Sequence, residues 1–421
     1  MNLAEWLSWQ ETQHAKPIDL GLERTRPLLR RLSLDHPSHA IITVAGTNGK
    51  GSSVALLEAI LHGAGYRVGA YTSPHLLRYN ERIRILGEEA DDAQLCASFE
   101  RINEARGDIS LTYFEFATLA AFDIFQRARL DVAILEVGLG GRLDTVNLLD
   151  ADVALISAIG IDHVEWLGAD RESIGREKAG IFRAESPAVC GDGDPPRSIM
   201  AHAEAVGAPL YCAGRDFGYQ TQADTWSWWG QTRNGSVQYK ALPYPNLRGV
   251  FQLRNAAAVL MALVQLAERC PISHADICRG LSTVNLPGRF QVIPGAITRI
   301  FDVAHNPHGA EVLAEALREH PCQGRTLAVF GMLADKDSVG VLRAMQGVVD
   351  SWYMAGLPVA RAATGEFLAG QLLAIQQDAA VMVYPTISAA YAQALSEARP
   401  QDRVVMFGSF YTVAEALQQS L

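Results

Sequence analysis

Residues 40–65 read AIITVAGTNGKGSSVALLEAILHGAG, and the division of that stretch decides the fold. The run from Ala40 to Ala45 is apolar and rich in β-branched residues, which predicts a strand buried on both faces. From Ser53 the apolar residues fall at helical spacing and stop at glycine, which predicts a helix. Between them lies a glycine-rich turn carrying Lys50. A strand, a glycine loop and a helix N-terminus together favour phosphate: the backbone N–H groups approach it closely and a lysine spans two phosphates. The common nucleotide-binding signature asks for a glycine five residues before the Gly-Lys pair and a hydroxyl directly after the lysine. Here Val44 and Gly51 stand at those positions, so the first hydroxyl arrives at Ser52. The competing reading is a glycine-rich turn with a solvated lysine.

Outward from this stretch the alternation continues. YRVGAYTS (66–73), LDVAILEVG (130–138) and ADVALISAIG (151–160) read as strands, and FATLAAFDIFQRA (116–128) as a helix. Near-continuous apolar strands between helices predict a parallel sheet covered on both faces. Residues 214–245 differ, being rich in aromatics and threonine with an Asn234-Gly235 turn, the signature of an antiparallel hairpin. A helix comes next, beginning near Gln252. Proline and glycine then cluster in LSTVNLPGRFQVIPG (281–295), and beyond it strands and helices alternate again. The expectation is an α/β protein of two domains. Residues 1–285 form an ATPase-type domain built on the phosphate loop, with a parallel sheet and a small antiparallel sheet. Residues 286–421 form a doubly wound, Rossmann-like domain. No G-x-G-x-x-G comes after its first strand, so it is not a dinucleotide-binding domain.

Composition narrows the function classes. The 421 residues are 49% hydrophobic, enough for sizeable cores in two domains. A net charge of −10 argues against a nucleic-acid backbone as the main partner, while leaving room for a local basic pocket. None of the six cysteines forms a C-x-x-C pair, which predicts reduced thiols and neither a zinc site nor a disulfide framework. The N-terminus has acidic residues early and no basic lead into an apolar run, so no signal peptide is expected. Runs such as VLMALVQLA are far shorter than the about 20 residues of a membrane span. A soluble cytoplasmic protein is expected.

Further stretches carry candidate chemistry. In ILEVGLGGRLDTVN (134–147), Glu136 ends a buried strand, where open α/β sheets bind ligands; a carboxylate there suits magnesium near phosphates, or else is a charged rim residue. ISAIGIDHVEWLG (156–168) places His163 after a strand, where a packed or surface histidine is the plainer reading. In RESIGREKAGIFR (171–183), Lys178 taken alone is a solvated helix lysine. YTSPHLLRYNERI (71–83) puts Ser73-Pro74-His75 after a strand, as a turn whose serine caps a helix or as something more. FDVAHNPHGA (301–310) carries Asp302, His305 and His308; metal chelation by the two histidines lacks a carboxylate partner.

In this order, VAGTNGKGS, TSPHL, TYFEF, LEVGLGGRLD, DHVEWLG, RESIGREKAGIFR, PGRFQ and DVAHNPHG resemble the folylpolyglutamate synthases and dihydrofolate synthases, relatives of the Mur peptidoglycan ligases. The resemblance covers nearly the whole chain. IDLGLERTRPLLRRL together with LTYFEF is similar to the bacterial bifunctional type. The resemblance implies roles for particular residues. Gly46, Thr47, Asn48, Gly49, Lys50, Gly51 and Ser52 would hold the phosphates of ATP, with Asn255, Arg289 and Asp302 on the nucleotide, so that ATP is closed between the domains. Ser73, from a mobile loop, would bind magnesium with Glu136 and His163. A carbamylated Lys178 would help place a second magnesium, and a monovalent cation is a further candidate. Lys50, Lys178 and His305 would carry catalysis, His305 lying near the transferred phosphate. The pterin would sit against Ile18, Asp19 and Leu20, against Thr112, Tyr113, Phe114 and Glu115, and against Leu143, Asp144 and Thr145. At the last of these the family's hydroxyl is displaced by one position.

The implied activity is ATP-dependent addition of L-glutamate to dihydropteroate and to the glutamate tail of reduced folates, through an acyl phosphate. A narrower alternative is folylpolyglutamate synthase activity alone. A Mur-type ligase using a UDP-sugar peptide is disfavoured by TYFEF and by a loop that begins only forty-odd residues in. A non-catalytic nucleotide switch would need none of Lys50, Glu136, His163 and Lys178 together. The expected partners are these small molecules, with no nucleic acid, no membrane and a monomeric chain.

Overall fold

The computed structural model describes residues 1–420. It divides into two compact units, the first Met1–Asn246 with Leu253–Val284, the second Leu247–Gln252 with Asn285–Leu421. A single cut after residue 285 differs from this division at Asn285 and at the segment Leu247–Gln252.

The first unit is built on an eight-stranded sheet. Its order is Glu88–Glu89, Ile83–Ile85, Val68–Tyr71, Val132–Glu136, Ala40–Ala45, Val153–Ile156, Ala188–Cys190, Leu210–Cys212. The first two form an antiparallel edge and the rest run parallel. Ala40–Ala45 is central, and all its residues are buried, as its β-branched composition predicts. Ile41, Ala45, Ala133, Leu135, Ala154 and Ile156 share one core with Phe116, Leu119 and Ala120 of the helix Tyr113–Ala128. That helix starts at a capping box in which Thr112 accepts from the Glu115 N–H and Glu115 accepts from the Thr112 N–H.

The small antiparallel sheet runs Gly235–Pro243, Thr225–Thr232, Phe217–Thr221. Trp226 and Trp228 are its buried tryptophans, and Trp228 Nε1 donates to the Ala257 carbonyl at 3.0 Å. The hairpin turn falls one residue earlier than expected. Thr232 pairs with Gly235, leaving Arg233 and Asn234 as the loop, and Gly235 takes a positive φ, +117°. The helix over the next segment is Val250–Gln265.

In the second unit the sheet order is Gln291–Ile293, Thr298–Phe301, Arg403–Phe407, Thr326–Phe330, Ser351–Ala355, Val381–Tyr384. The first strand is antiparallel and the other five are parallel. Phe330, Trp352 and Phe407 pack edge-on and tilted in its core. Among the described residues no helix is long and apolar enough to cross a membrane, and all six cysteines are free thiols.

Candidate active site

Parallel register assembles the first unit's site. Glu136 lies opposite Val44, Ile156 opposite Ala45, and Leu135 opposite Tyr71. The glycine loop, Ser73, Glu136 and the segment leading to His163 therefore all leave the sheet at the C-terminal ends of adjacent strands. The loop is tied to its neighbour. Thr47 N–H donates to Ala158 O at 2.7 Å, Thr47 Oγ1 donates to Gly160 O at 2.9 Å, and Ser157 Oγ donates to Asn48 O at 2.7 Å. Lys50 Nζ folds back onto the carbonyls of Gly46 and Thr47, at 3.0 and 3.2 Å. Gly49 holds a φ of +89°, and a Cβ there would lie 2.6 Å from Asn255 Oδ1. Any side chain at this position would be strained, and Asn255 is brought against the loop across the fold. The helix Lys50–Gly63 begins with no side-chain cap on Gly49, so its N-terminal dipole faces the loop.

Lys178 corrects the solvated-lysine reading: it is only 3% exposed. Burial, reinforced by the charge of Lys50, lowers its amine from the usual range to about 7, against opposing pulls from Asp162 and Asp144. The close packing comes from glycine. A Cβ on Gly141 would meet the carbonyls of Glu177 and Lys178 at 2.8 and 3.0 Å, so the LEVGLGG loop lies directly on the end of the helix Arg171–Ala179. Asp144 is buried in the same region and accepts from the N–H groups of Leu139 and Val146, both at 2.9 Å. Burial raises its carboxyl to about 6, with those hydrogen bonds and Lys50 pulling the other way. His163 is exposed, with a φ of +52°, and its N–H donates to Asp162 Oδ1 at 2.8 Å. Ser73 caps no helix; it is joined to Pro74 by a cis bond.

The residues expected around the pterin also converge. Gly21 N–H donates to Leu143 O at 3.2 Å, which brings Ile18, Asp19 and Leu20 towards Leu143. Arg24 bonds Asp19 through its side chain and its carbonyl, and donates to Glu115 Oε1 at 2.8 Å. Glu115 is 2% exposed, and its other oxygen accepts from Thr112 N–H at 2.7 Å. Tyr113 faces the Arg82 guanidinium at 5.4 Å, and Phe114 lies 6.1 Å from Tyr71. Sequence reasoning misses Arg24, whose only signal is a basic residue five places after Asp19 in GLERTR.

In the second unit Asp302 is buried and accepts from Phe290 N–H and Ala304 N–H, both at 2.8 Å. Burial raises its carboxyl, opposed by Arg289. Arg289 lies 5.1 Å from the Phe410 ring, and the His305 ring is 6.1 Å from the same ring. Phe410, also missed by sequence reasoning, supports both. His305 Nδ1 lies 2.8 Å from Val303 O, so Nδ1 carries a proton and donates to that carbonyl.

Models of two domains match the chain, the Mur ligase middle domain over residues 44–263 and the Mur ligase glutamate ligase domain over residues 288–410. The dihydrofolate synthase/folylpolyglutamate synthase of Escherichia coli (strain K12) is 46% identical over 416 residues, covering 99% of this chain and 95% of that protein. The chain belongs to the dihydrofolate synthase/folylpolyglutamate synthase family of Mur ligases. Among solved structures of that family, E. coli FolC in complex with DHPP and ADP superposes with a TM-score of 0.94 at 45% identity, over 100% of this chain and 98% of that one. A bifunctional folylpolyglutamate synthase/dihydrofolate synthase with Mn, AMPPNP and L-glutamate bound gives 0.91 at 47% identity, over 100% and 98%.

The donor set can be tested against a divalent cation. Among the described residues no three His, Cys, Asp or Glu side chains converge as a ready cage. The donor set expected from the sequence is instead a hydroxyl, one carboxylate, one imidazole and a modified amine. Glu136 ends its strand, and Ser73 lies two residues past the end of the neighbouring strand, whose Tyr71 is opposite Leu135; oxygen donors there suit a hard cation. Lys178 fits its part as well, since burial and the charge of Lys50 lower its amine to about 7, which makes the neutral form accessible, and a carbamate made from it would be drawn to that cation.

Proposed function

We propose that the chain joins L-glutamate to dihydropteroate, forming dihydrofolate, and to the glutamate tail of reduced folates, in both cases through an acyl phosphate. The observation that carries the site reading is Lys178, buried beside Lys50 with its amine lowered to about 7. A surface lysine at that position would have no such need of burial.

A carboxylate is a poor electrophile because oxide is a bad leaving group. An oxygen of the pteroyl or folyl carboxylate attacks the γ-phosphorus of ATP and the bond to ADP breaks, leaving an acyl phosphate. The glutamate α-amine then attacks the acyl carbon, inorganic phosphate departs, and the amine proton is lost to a base. Such transfer needs placement and charge neutralisation more than a covalent nucleophile. Residues Gly46 to Ser52 hold the phosphates of ATP, with Lys50 turned from its own loop carbonyls to the nucleotide. Asn255, Arg289 and Asp302 contact the rest of the nucleotide, and His305 lies near the transferred phosphate. Ser73, Glu136 and His163 would hold one magnesium, and a carbamylated Lys178 would help to hold a second. When bound, magnesium neutralises phosphate charge and polarises the γ-phosphoryl group. Asp19, Thr112, Glu115 and Asp144 bind and orient the pterin, with Tyr113 and Phe114 beside it.

The test is phosphate release from ATP with glutamate and either dihydropteroate or tetrahydrofolate. Release with both acceptors is expected. Release with neither removes the proposal, and release with tetrahydrofolate alone reduces it to folylpolyglutamate synthase activity.

A further inference from the structure

The loop that carries Ser73 leaves the strand Val68–Tyr71 and returns as the antiparallel strand Ile83–Ile85. A connection of this length ordinarily leaves its backbone N–H groups to water. Here the N–H groups of Leu76, Leu77 and Arg78 all donate to the carboxylate of Glu81, at 2.6, 2.7 and 2.6 Å. Charge-assisted bonds of that length are among the stronger ones in a protein. The next residue, Arg82, is 8% exposed. Its Nε donates to His75 Nδ1 at 2.9 Å, and its guanidinium lies 5.4 Å from the ring centroids of both Tyr79 and Tyr113. Two residues on, Arg84 grips Glu58 of the helix Lys50–Gly63, with Nη2 to Oε2 at 2.6 Å, and donates to the Glu81 carbonyl at 3.2 Å.

Packing alone does not account for Arg82. Among the described residues it makes no ion pair with a carboxylate, and a buried cation without one is costlier than an aliphatic side chain of the same volume. Its hydrogen bond to His75 and its ring contacts with Tyr79 and Tyr113 lead to the loop and to the first residue of the helix Tyr113–Ala128. His75, accepting at Nδ1, is fixed as the tautomer with its proton on Nε2. The stretch NERIR thus ties the Ser73 loop to itself, to Tyr113 and to the helix behind the phosphate loop.

We infer that Glu81 and Arg82 are positioning residues that set the place of Ser73, so that divalent-metal binding and the pterin-site helix are held in one register. The inference rests on the reading that Ser73 is a metal ligand. Groups that orient a ligand typically change metal affinity by about 10–100-fold when replaced.

The experiment measures Mn²⁺ binding by electron paramagnetic resonance in the presence of AMPPNP, for wild type, Arg82→Gln, Glu81→Gln and Ser73→Ala. All three variants are expected to bind Mn²⁺ at least about tenfold more weakly, with AMPPNP affinity in the absence of metal unchanged. Wild-type Mn²⁺ affinity in Arg82→Gln and Glu81→Gln, with loss in Ser73→Ala, overturns the inference and leaves the metal reading standing. Wild-type affinity in Ser73→Ala overturns both. Amide hydrogen exchange at Leu76, Leu77 and Arg78 gives a second measurement, needed if Arg82→Gln does not fold. Faster exchange at those three in Glu81→Gln supports the clamp, and unchanged exchange removes it.

Discussion

Arg24 Nη2 donates to Glu115 Oε1 at 2.8 Å, joining residues 91 apart in the chain. The same guanidinium holds Asp19, so a single arginine fixes two of the carboxylates proposed to bind the pterin. Glu115 is 2% exposed, and removing one partner of a buried pair strands the other. Arg24→Met is expected to raise the KM for dihydropteroate at least about tenfold, equivalent to about 1.4 kcal/mol. The KM for ATP should stay at its wild-type value. Steady-state kinetics with each substrate varied in turn measures both, and an equal rise in the two would mean a general distortion of the site rather than a lost pterin contact.

Lys178 has a pH dependence of definite sign. Carbon dioxide adds to the neutral amine, and burial beside Lys50 puts the folded amine at about 7, below its ordinary 10.5. The neutral fraction therefore grows as pH rises through that value. Enzyme stripped of carbon dioxide and returned to bicarbonate should regain activity more completely at about pH 8 than at about pH 6. Lys178→Ala should lose most activity and recover part of it with added short carboxylates. Full activity in Lys178→Ala would rule out the carbamate.

These two residues also mark how far the sequence can be read. The phosphate loop is legible because a β-branched run, a glycine turn and a helical period succeed one another within residues 40–63. Glu136 is legible because it ends an apolar strand. Lys178 is not, since its burial depends on Gly141 lying against the carbonyls of Glu177 and Lys178 from a distant loop. Arg24 and Phe410 escape for the same reason: their partners Glu115, Arg289 and His305 are set by topology, and no local period announces them. The Asn-Gly pair points to a hairpin loop one residue too late, because the pairing of Thr232 with Gly235 puts the glycine on the returning strand.

Gly49→Ala tests the loop's geometry. The backbone there has a φ of +89°, and the added methyl would sit 2.6 Å from Asn255 Oδ1. A left-handed non-glycine residue costs about 1–3 kcal/mol before any clash is counted. Titration with a fluorescent ATP analogue should show affinity reduced by at least about tenfold. Asn255→Ala in the same chain removes the clash but keeps the strain and gives up the proposed Asn255 contact with the nucleotide, so at most part of the loss should be restored. Complete restoration would mean that the loop tolerates the conformation and that crowding alone was responsible.

Arg403 offers a stability test away from the chemistry. It is buried in the second unit, where Nε donates to Thr326 Oγ1 at 2.8 Å and Nη1 donates to the carbonyls of Leu317 and His320 at 2.8 and 2.7 Å. Those carbonyls belong to the end of the helix Pro307–Glu319, which has no further turn to satisfy them. The cation thus closes the helix C-terminus and complements its dipole while pinning it to the strands Thr326–Phe330 and Arg403–Phe407. Methionine fills similar volume and supplies no donor. Each stranded buried carbonyl costs about 1–3 kcal/mol, so Arg403→Met should destabilise the second unit by at least about 2 kcal/mol. Urea unfolding monitored at Trp352, packed on Phe330 and Phe407 in that unit's core, reads the change directly. An unaltered midpoint would show that water replaces the guanidinium at the helix end.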